Sequence, residues 1–415
     1  MPSTRRAFLA AGAALAGVVG SAAAGGASGD GRRASAAQSP SSRGTAPFGL
    51  DPAGTRSDPD ASGPRSGVEV AWTYDAPDWF LGTARPVLAG GVLYAVGNGL
   101  LALGRETGER RFGTPGPYRS GPALTGAEAY RTATLAVTAG RGVYGLDAGG
   151  GIGLPFVGDA VAAERWADAR PTGGGELDFS FGPEGDPSPP VAADGTVYAP
   201  IPGTNALAAL DASDGRERWR VVHHEDERVS GPFNRPAIRD GTVYGTAWPH
   251  QVFAVRADDG EVEWHREVDE QMVMPPAATE AGVVVQTREG VSLLDAEDGE
   301  PIWDRTLEAN VTGSAPAVAD GIVFAASEIE SLYALDLETG ETLWSVPFDG
   351  ESSPVVADGV VYAVRSSFEL VALDAATGER LFDYRPTEVP LSAPTVADGR
   401  LYAANRTRVL ALTEP

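Results

Sequence analysis

The sequence predicts an all-β chain folded as an eight-bladed β-propeller of four-stranded antiparallel blades, its last blade closed by the N-terminal strand. Three observations predict it. Two short hairpin motifs alternate along the chain, the pair recurs about every 40 residues, and the two ends of the chain each carry part of one unit.

The first hairpin is clearest in Ser353-Pro354-Val355-Val356-Ala357-Asp358-Gly359-Val360-Val361-Tyr362-Ala363. It recurs over 315–325 and 393–403, and earlier over 189–198 and 235–244. Weaker copies run from Pro86 to Tyr94, Pro122 to Val137 and Pro276 to Val285. Asp-Gly supplies the positive φ angles of a tight hairpin turn. The proline opens the first strand, where no ladder donor is lost.

The second hairpin is Tyr333-Ala334-Leu335-Asp336-Leu337-Glu338-Thr339-Gly340-Glu341-Thr342-Leu343-Trp344. Copies run from Val371 to Phe382, Leu293 to Trp303, Phe253 to Trp264, Ala208 to Trp219 and Leu101 to Phe112. Its aromatic lies on the outermost strand, placed to pack on its own and neighbouring blades. The unit over 393–403 is followed only by Val409-Leu410-Ala411-Leu412 and lacks an outer strand. Val68-Glu69-Val70-Ala71-Trp72-Thr73-Tyr74 is a strand without a unit. Joining them closes the ring and removes a free edge. The alternative is seven blades, if the weak unit at 122–157 is not one.

Asp-Gly-x-Val-Tyr-Ala and Ala-Leu-Asp-x-x-Thr-Gly-Glu-x-x-Trp resemble pyrroloquinoline-quinone (PQQ) type propeller repeats over about residues 68–415. Such repeats occur in quinoprotein alcohol dehydrogenases and in the non-enzymatic lipoprotein of the bacterial outer-membrane barrel-assembly machinery. The resemblance implies the fold, and the chain resembles the non-enzymatic members more. A dehydrogenase would imply PQQ with calcium and a carboxylate base. No stretch matches cofactor-binding motifs, and the adjacent cysteine pair of many such enzymes has no counterpart in a chain without cysteine. The expected cofactor is none, with PQQ and calcium as the alternative.

The formal net charge is −25, with 57 acidic residues and no lysine among 32 basic ones. Such acidity argues against nucleic acid as partner. It resembles the composition of extremely halophilic archaea, whose carboxylates hold water and cations while salt screens their repulsion. Without cysteine there are no disulfides, thiolate metal sites or lipid-bearing thiol.

Residues 1–24 read as a twin-arginine export signal. Thr4-Arg5-Arg6-Ala7-Phe8-Leu9 leads into an apolar run to Val19, and Ala22-Ala23-Ala24 offers a cleavage site. Retention as an uncleaved anchor is the alternative. Residues 25–67 are rich in Ser, Gly, Pro, Ala and Arg without apolar period, and read as a disordered linker. An extracytoplasmic, secreted or cell-surface monomer is expected, not integral to the membrane once the signal is cleaved.

Function on a propeller concentrates in the loops between blades. An insertion over 158–187 holds Trp166, Phe179 and Phe181. The same face is expected to carry Trp79, Phe80, Tyr118, Arg119, Phe233, Arg235, Trp248, His250, Met272 and Met274. Exposed aromatics with arginine suit a partner-binding surface; the alternative is that these loops fold inward and cap the channel. The four histidines are His223, His224, His250 and His265. His223, His224 and His250 fall on one face beside acids and read as a solvated acidic loop, with a metal site as the alternative; His265 reads as surface, and no Ser-His-Asp arrangement, phosphate loop or zinc spacing stands out. Asn310 and Asn405 match N-glycosylation acceptors. The expected function is a non-catalytic envelope scaffold binding a protein or envelope component through this face. The alternatives are a quinone oxidoreductase and a binder of a small ligand or metal in the channel mouth.

Overall fold

The computed structural model describes residues 51–76, 84–97, 99–140, 142–150, 164–169, 188–222, 233–268, 273–307, 314–327, 331–350, 352–366, 368–387, 391–405 and 407–415. The export signal, residues 25–50 of the linker, Trp79, Phe80, Phe179, Phe181, His223, His224, Met272 and Asn310 lie outside them.

Eight antiparallel blades follow one another, each of four strands. Blade 1 is Val87–Ala89, Val92–Gly97, Gly99–Gly104 and Arg110–Pro115. Blades 2 to 7 span 123–169, 191–222, 237–267, 277–306, 317–347 and 355–384. Blade 8 is Thr395–Ala397, Arg400–Ala404 and Arg408–Thr413, with Glu69–Asp75 as its outer strand. The seven-blade alternative falls, because blade 2 has a complete outer strand at Glu164–Ala169. That strand carries Trp166, so Trp166 belongs to a blade and not to an inter-blade insertion.

Local chemistry accounts for the hairpins. Asp194, Asp240, Asp320, Asp358 and Asp398 have φ between 45° and 49°, and the glycine after each is also positive. Two successive positive φ angles make a type I′ turn, whose twist matches the strands it joins. In the second hairpin the aspartate works through its carboxylate. Asp336 Oδ1 accepts from the Glu338 and Thr339 amides and the Thr339 hydroxyl. The repeat aspartate and threonine are therefore turn-formers, not ligand donors.

Every outer strand carries a register shift within a residue or so of its aromatic, as at Ala254/Val255 opposite Trp264. Such bulges twist a strand and re-aim its side chains. The re-aimed ring crosses to the next blade. Trp264 Nε1 donates to Ala296 O at 2.9 Å, and the ring lies where a Cβ on Gly299 would stand, 2.6 Å from Cε3. Trp166, Trp219, Trp303 and Trp344 repeat this stitch, and Trp72 makes it from blade 8 to blade 1. Where the outer aromatic is phenylalanine, a second-strand tyrosine makes the bond. Tyr94 Oη donates to Ala148 O at 2.9 Å beside Phe112, and Tyr362 Oη to Pro64 O at 2.8 Å beside Phe382.

The antiparallel order puts the tight turns on one face. The second-to-third strand links and the blade-to-blade connections fall on the other, the loop face. Among the described residues no helix is long and apolar enough to cross a membrane.

Candidate functional site: the axial channel and its loop face

The innermost strands turn one edge to the axis. In blade 4, Arg239 pairs with Thr242 across the tight turn, so Ile238 one residue back points its N–H away from its partner strand and into the channel. Ala278, Val318 and Val356 repeat this in blades 5, 6 and 7. Left alone, these donors form an exposed edge.

The chain's own N-terminal segment covers them. Pro52 O accepts from Ile238 N at 2.7 Å, Ala53 O from Ala278 N at 2.8 Å, Thr55 O from Val318 N at 2.8 Å and Arg56 O from Val356 N at 3.0 Å. One strap thus touches four successive blades. Ser57–Asp58 then pairs in parallel with Val356 and Ala357, so the strap runs from the loop face towards the turn face. Residues 59–66 leave between blades 7 and 8. Gly399 N donates to Ser62 O, and Glu414 Oε1 accepts from the Arg65 and Ser66 amides. Residues 51–66 of the linker expected over 25–67 are therefore held on the propeller. Their sequence lacks apolar period because backbone carbonyls, not side chains, hold them.

Two glycines in the strap are fixed by contact. A Cβ on Gly54, which has φ of 74°, would stand 2.6 Å from Pro276 O. One on Gly63 would stand 2.3 Å from Tyr362 Oη and 2.7 Å from Val396 Cγ1. At the turn-face end the strap borders a cleft of about 410 Å³ that includes Asp58, Arg239, Glu280, Asp320 and Asp358. Burial raises the Asp58 carboxyl above its ordinary range, against hydrogen bonds from the Asp60 and Ala61 amides.

The residues expected on the loop face divide. Tyr118 and Phe233 are buried and pack edge-on, Tyr118 on Tyr144 and Phe233 on Phe253, with centroids 5.6 and 5.3 Å apart. Met274 is buried too. These residues close the blade seams and are not presented. Arg119 is exposed, and Trp248 is 41% exposed. His250 is half-buried, with Nε2 3.9 Å from Glu267. His265 is exposed on its outer strand against Gln251. Arg235 stands in the channel mouth, with Nη2 donating to Asp51 O at 2.7 Å. Asn405 is 1% exposed, and its Oδ1 accepts from the Thr407 and Arg408 amides. It caps a loop internally and is not a glycan acceptor in the folded chain.

Phe368, which the sequence did not single out, is exposed on this face at a φ of 62°. Its loop is braced by Arg365 on Asp349 at 3.0 Å and by Arg385 on the nearly buried Glu369 at 3.2 Å.

The family described as outer membrane protein assembly factor BamB matches residues 203–293 and 287–414, together just over half of the chain. The chain belongs to that family. BamB of Yersinia pestis is 30% identical over 154 residues, 33% of this chain and 37% of that protein. The serine/threonine-protein kinase AfsK of Streptomyces griseus is 29% identical over 227 residues, 54% of this chain and 21% of the kinase. The chain thus matches well under half the length of either relative. Among solved structures, BamB from Moraxella catarrhalis superposes with a TM-score of 0.60 at 14% identity, covering 84% of this chain and 98% of that one. The quinohemoprotein alcohol dehydrogenase of Comamonas testosteroni gives 0.66 at 15% identity, covering 89% and 81%. At such identities the likeness is one of fold, which scaffolds and oxidoreductases share.

PQQ with calcium needs a cage of oxygen ligands for the ion and a flat slot for the quinone. Among the described residues no three acidic or imidazole groups converge to hold a metal ion. The channel edge of blades 4 to 7 is taken by the strap. The described residues do not fit that group.

Proposed function

We propose that this chain is a non-catalytic propeller scaffold of the cell envelope, exported by its N-terminal signal, that binds a protein partner through the loop face. The observation that carries this reading is the strap. A propeller that spends its axial edge on its own backbone has given over to architecture the place where a channel ligand would dock. Membership of the BamB family supports the same reading, since members are named as outer membrane assembly factors. Exposed Trp248, Arg119 and Phe368 then supply the aromatic and arginine anchors that protein interfaces favour.

Two measurements test this. Titrating the full chain with PQQ and calcium in multimolar KCl is expected to give no saturable heat, and alcohol no dye reduction; one site per chain with turnover would overturn the reading. A photo-crosslinking side chain at position 248 in producing cells is expected to give a discrete protein adduct. The same group at Asp320, on the turn face, is expected to give none. Equal labelling from both faces would remove the loop face as the docking surface.

We also propose that the charge balance is an adaptation to high salt. The chain is expected to grow more stable as KCl rises from about 0.1 M to multimolar, as the screening length shrinks from about 10 Å to 3 Å and below. Urea melts across that range check this. A chain equally stable at both ends would leave its acidity without that explanation.

A further inference from the structure

The strap covers half of the axial edge. All eight inner strands share one frame, a proline followed two residues later by the residue whose N–H faces the channel. In blades 4 to 7 that residue is Ile238, Ala278, Val318 or Val356, and each donates to the strap. In blade 8 it is Val396, against which the strap's exit packs at Gly63. In blades 1, 2 and 3 it is Leu88, Leu124 and Ala192. No backbone or side-chain acceptor among the described residues meets these three amides. Leu88 and Ala192 are buried like Val318 and Val356, because inner-strand side chains go between blades while the strand edge goes to the axis. The inner strands of blades 2 and 3 lie against each other, and Gly195 N of blade 3 donates to Thr125 Oγ1 of blade 2 at 3.0 Å. The arc is therefore one continuous edge, and an unpaired edge is a template for another strand.

The strap shows what fits there. Its carbonyls at 52, 53, 55 and 56 serve one blade each. Residues 52 to 56 span at most about 14 Å of extended chain while turning through three of the eight blade steps, which holds the strap within about 6 Å of the axis. The far side of that circle is about 12 Å away, little more than the spacing of about 10 Å at which two β layers pack. A second extended segment fits opposite the strap only with small side chains turned towards it. Moved back by three blades, the strap's path would lay its carbonyls at 52, 53 and 55 on Leu88, Leu124 and Ala192. Pro122 then takes the place of Pro276, whose carbonyl leaves no room for a Cβ at Gly54.

We propose that the arc of blades 1 to 3 binds one extended segment of the docked partner, rich in Gly, Ala and Ser, which enters at the loop face and is read through its backbone carbonyls. This rests on the scaffold reading above and carries its docking face into the channel mouth.

Amide hydrogen exchange on the full chain in KCl tests this, with acetyl-Pro-Ala-Gly-Thr-Arg-Ser-amide, the strap's own 52–57, as the probe. In the free chain Leu88, Leu124 and Ala192 are expected to exchange about tenfold or more faster than Ile238, Ala278 and Val318. Saturating peptide is expected to slow the first three by about tenfold or more and to leave the second three unchanged. A peptide with Val in place of Gly is expected to bind about tenfold more weakly or not at all. Ala192→Pro removes one channel donor and no ladder bond, and is expected to weaken peptide binding about fivefold, the scale of one hydrogen bond. Slow exchange at all three amides in the free chain, at every protein concentration, would mean that the arc is already covered and would overturn the inference. Slowing that grows with protein concentration alone would make a second copy of this chain the occupant and overturn it too. So would a peptide that protects none of the three, or a Val peptide that binds as well as the Gly one. Peptide protection in a chain that gives no adduct at position 248 leaves the channel site standing and the loop-face reading failed; an adduct at 248 without peptide protection does the reverse.

Discussion

A chain beginning at Gly67 is expected to unfold about 5 kcal/mol more easily than one beginning at Asp51, on roughly 1 kcal/mol for each intramolecular hydrogen bond lost. The strap supplies four carbonyls to the edge donors of blades 4 to 7, one to Gly399 N and one to the Tyr362 hydroxyl. It also buries Ala61 in the core shared by blades 7 and 8. Water can replace the strap at the edge, which is why the loss is a few kcal/mol and not a collapse. The subtler variant is Gly63→Val in the full chain. Its side chain would have to displace Tyr362 Oη and Val396 at once, so it is expected to detach the strap's exit and approach the truncation in cost. Tyr362→Phe keeps the packing and removes one bond, and is expected to cost about 1 kcal/mol. Urea midpoints at matched KCl check all three. A truncated chain as stable as the longer one would mean that the strap only rests in the channel.

Hydrogen-bonding periodicity was legible and close packing between non-repeating parts was not. Asp-Gly pairs, proline positions and the orphan strand at 69–75 follow from local rules, so the blade number and the closure of the ring could be read from residues alone. Blade 2 was half legible. Its outer strand lies beyond a long connection, and only Trp166 marks it, since it keeps the stitch to the next blade at Ala212. The strap was invisible because it is held through carbonyls, which every residue has, and a segment of Ser, Gly, Pro and Asp reads as linker by composition. One indirect signal was present. Tyr362 is a repeat tyrosine whose next blade has no third-to-outer turn to accept its hydroxyl, so another carbonyl had to be found. The loop-face residues divided for a similar reason. Tyr118 and Phe233 sit five and four residues before their inner strands, where the chain is already turning inward between blades, while Trp248 sits at the apex of a link within one blade.

Replacing Trp264 by alanine is expected to destabilise the ring by about 3–5 kcal/mol, the range for truncating a large buried aromatic. The ring is 8% exposed, packs on Tyr244 at a centroid distance of 6.2 Å, and donates one of the hydrogen bonds between blades 4 and 5. Trp264→Phe keeps much of the packing and leaves Ala296 O without its indole donor, so about 1–2 kcal/mol is expected. The chain contains that variant already. Phe112 and Phe382 occupy the equivalent place in blades 1 and 7, and there Tyr94 and Tyr362 make the bond. Tyr244 stands at the corresponding position in blade 4 and could take over the bond to Ala296, which would bring the Trp264→Phe loss to the lower end of that range. Gly299→Ala attacks the same contact from the other side. It places a Cβ 2.6 Å from Trp264 Cε3 at a φ of 74°, and is expected to cost about 2 kcal/mol or more from overpacking and backbone strain together. Since both single changes act on one contact, the double variant is expected to fall short of the sum by 1 kcal/mol or more. A strictly additive pair would show that the tryptophan and the glycine are independent features of the repeat. The spacing that makes the blades recognisable would then carry no energetic link between them.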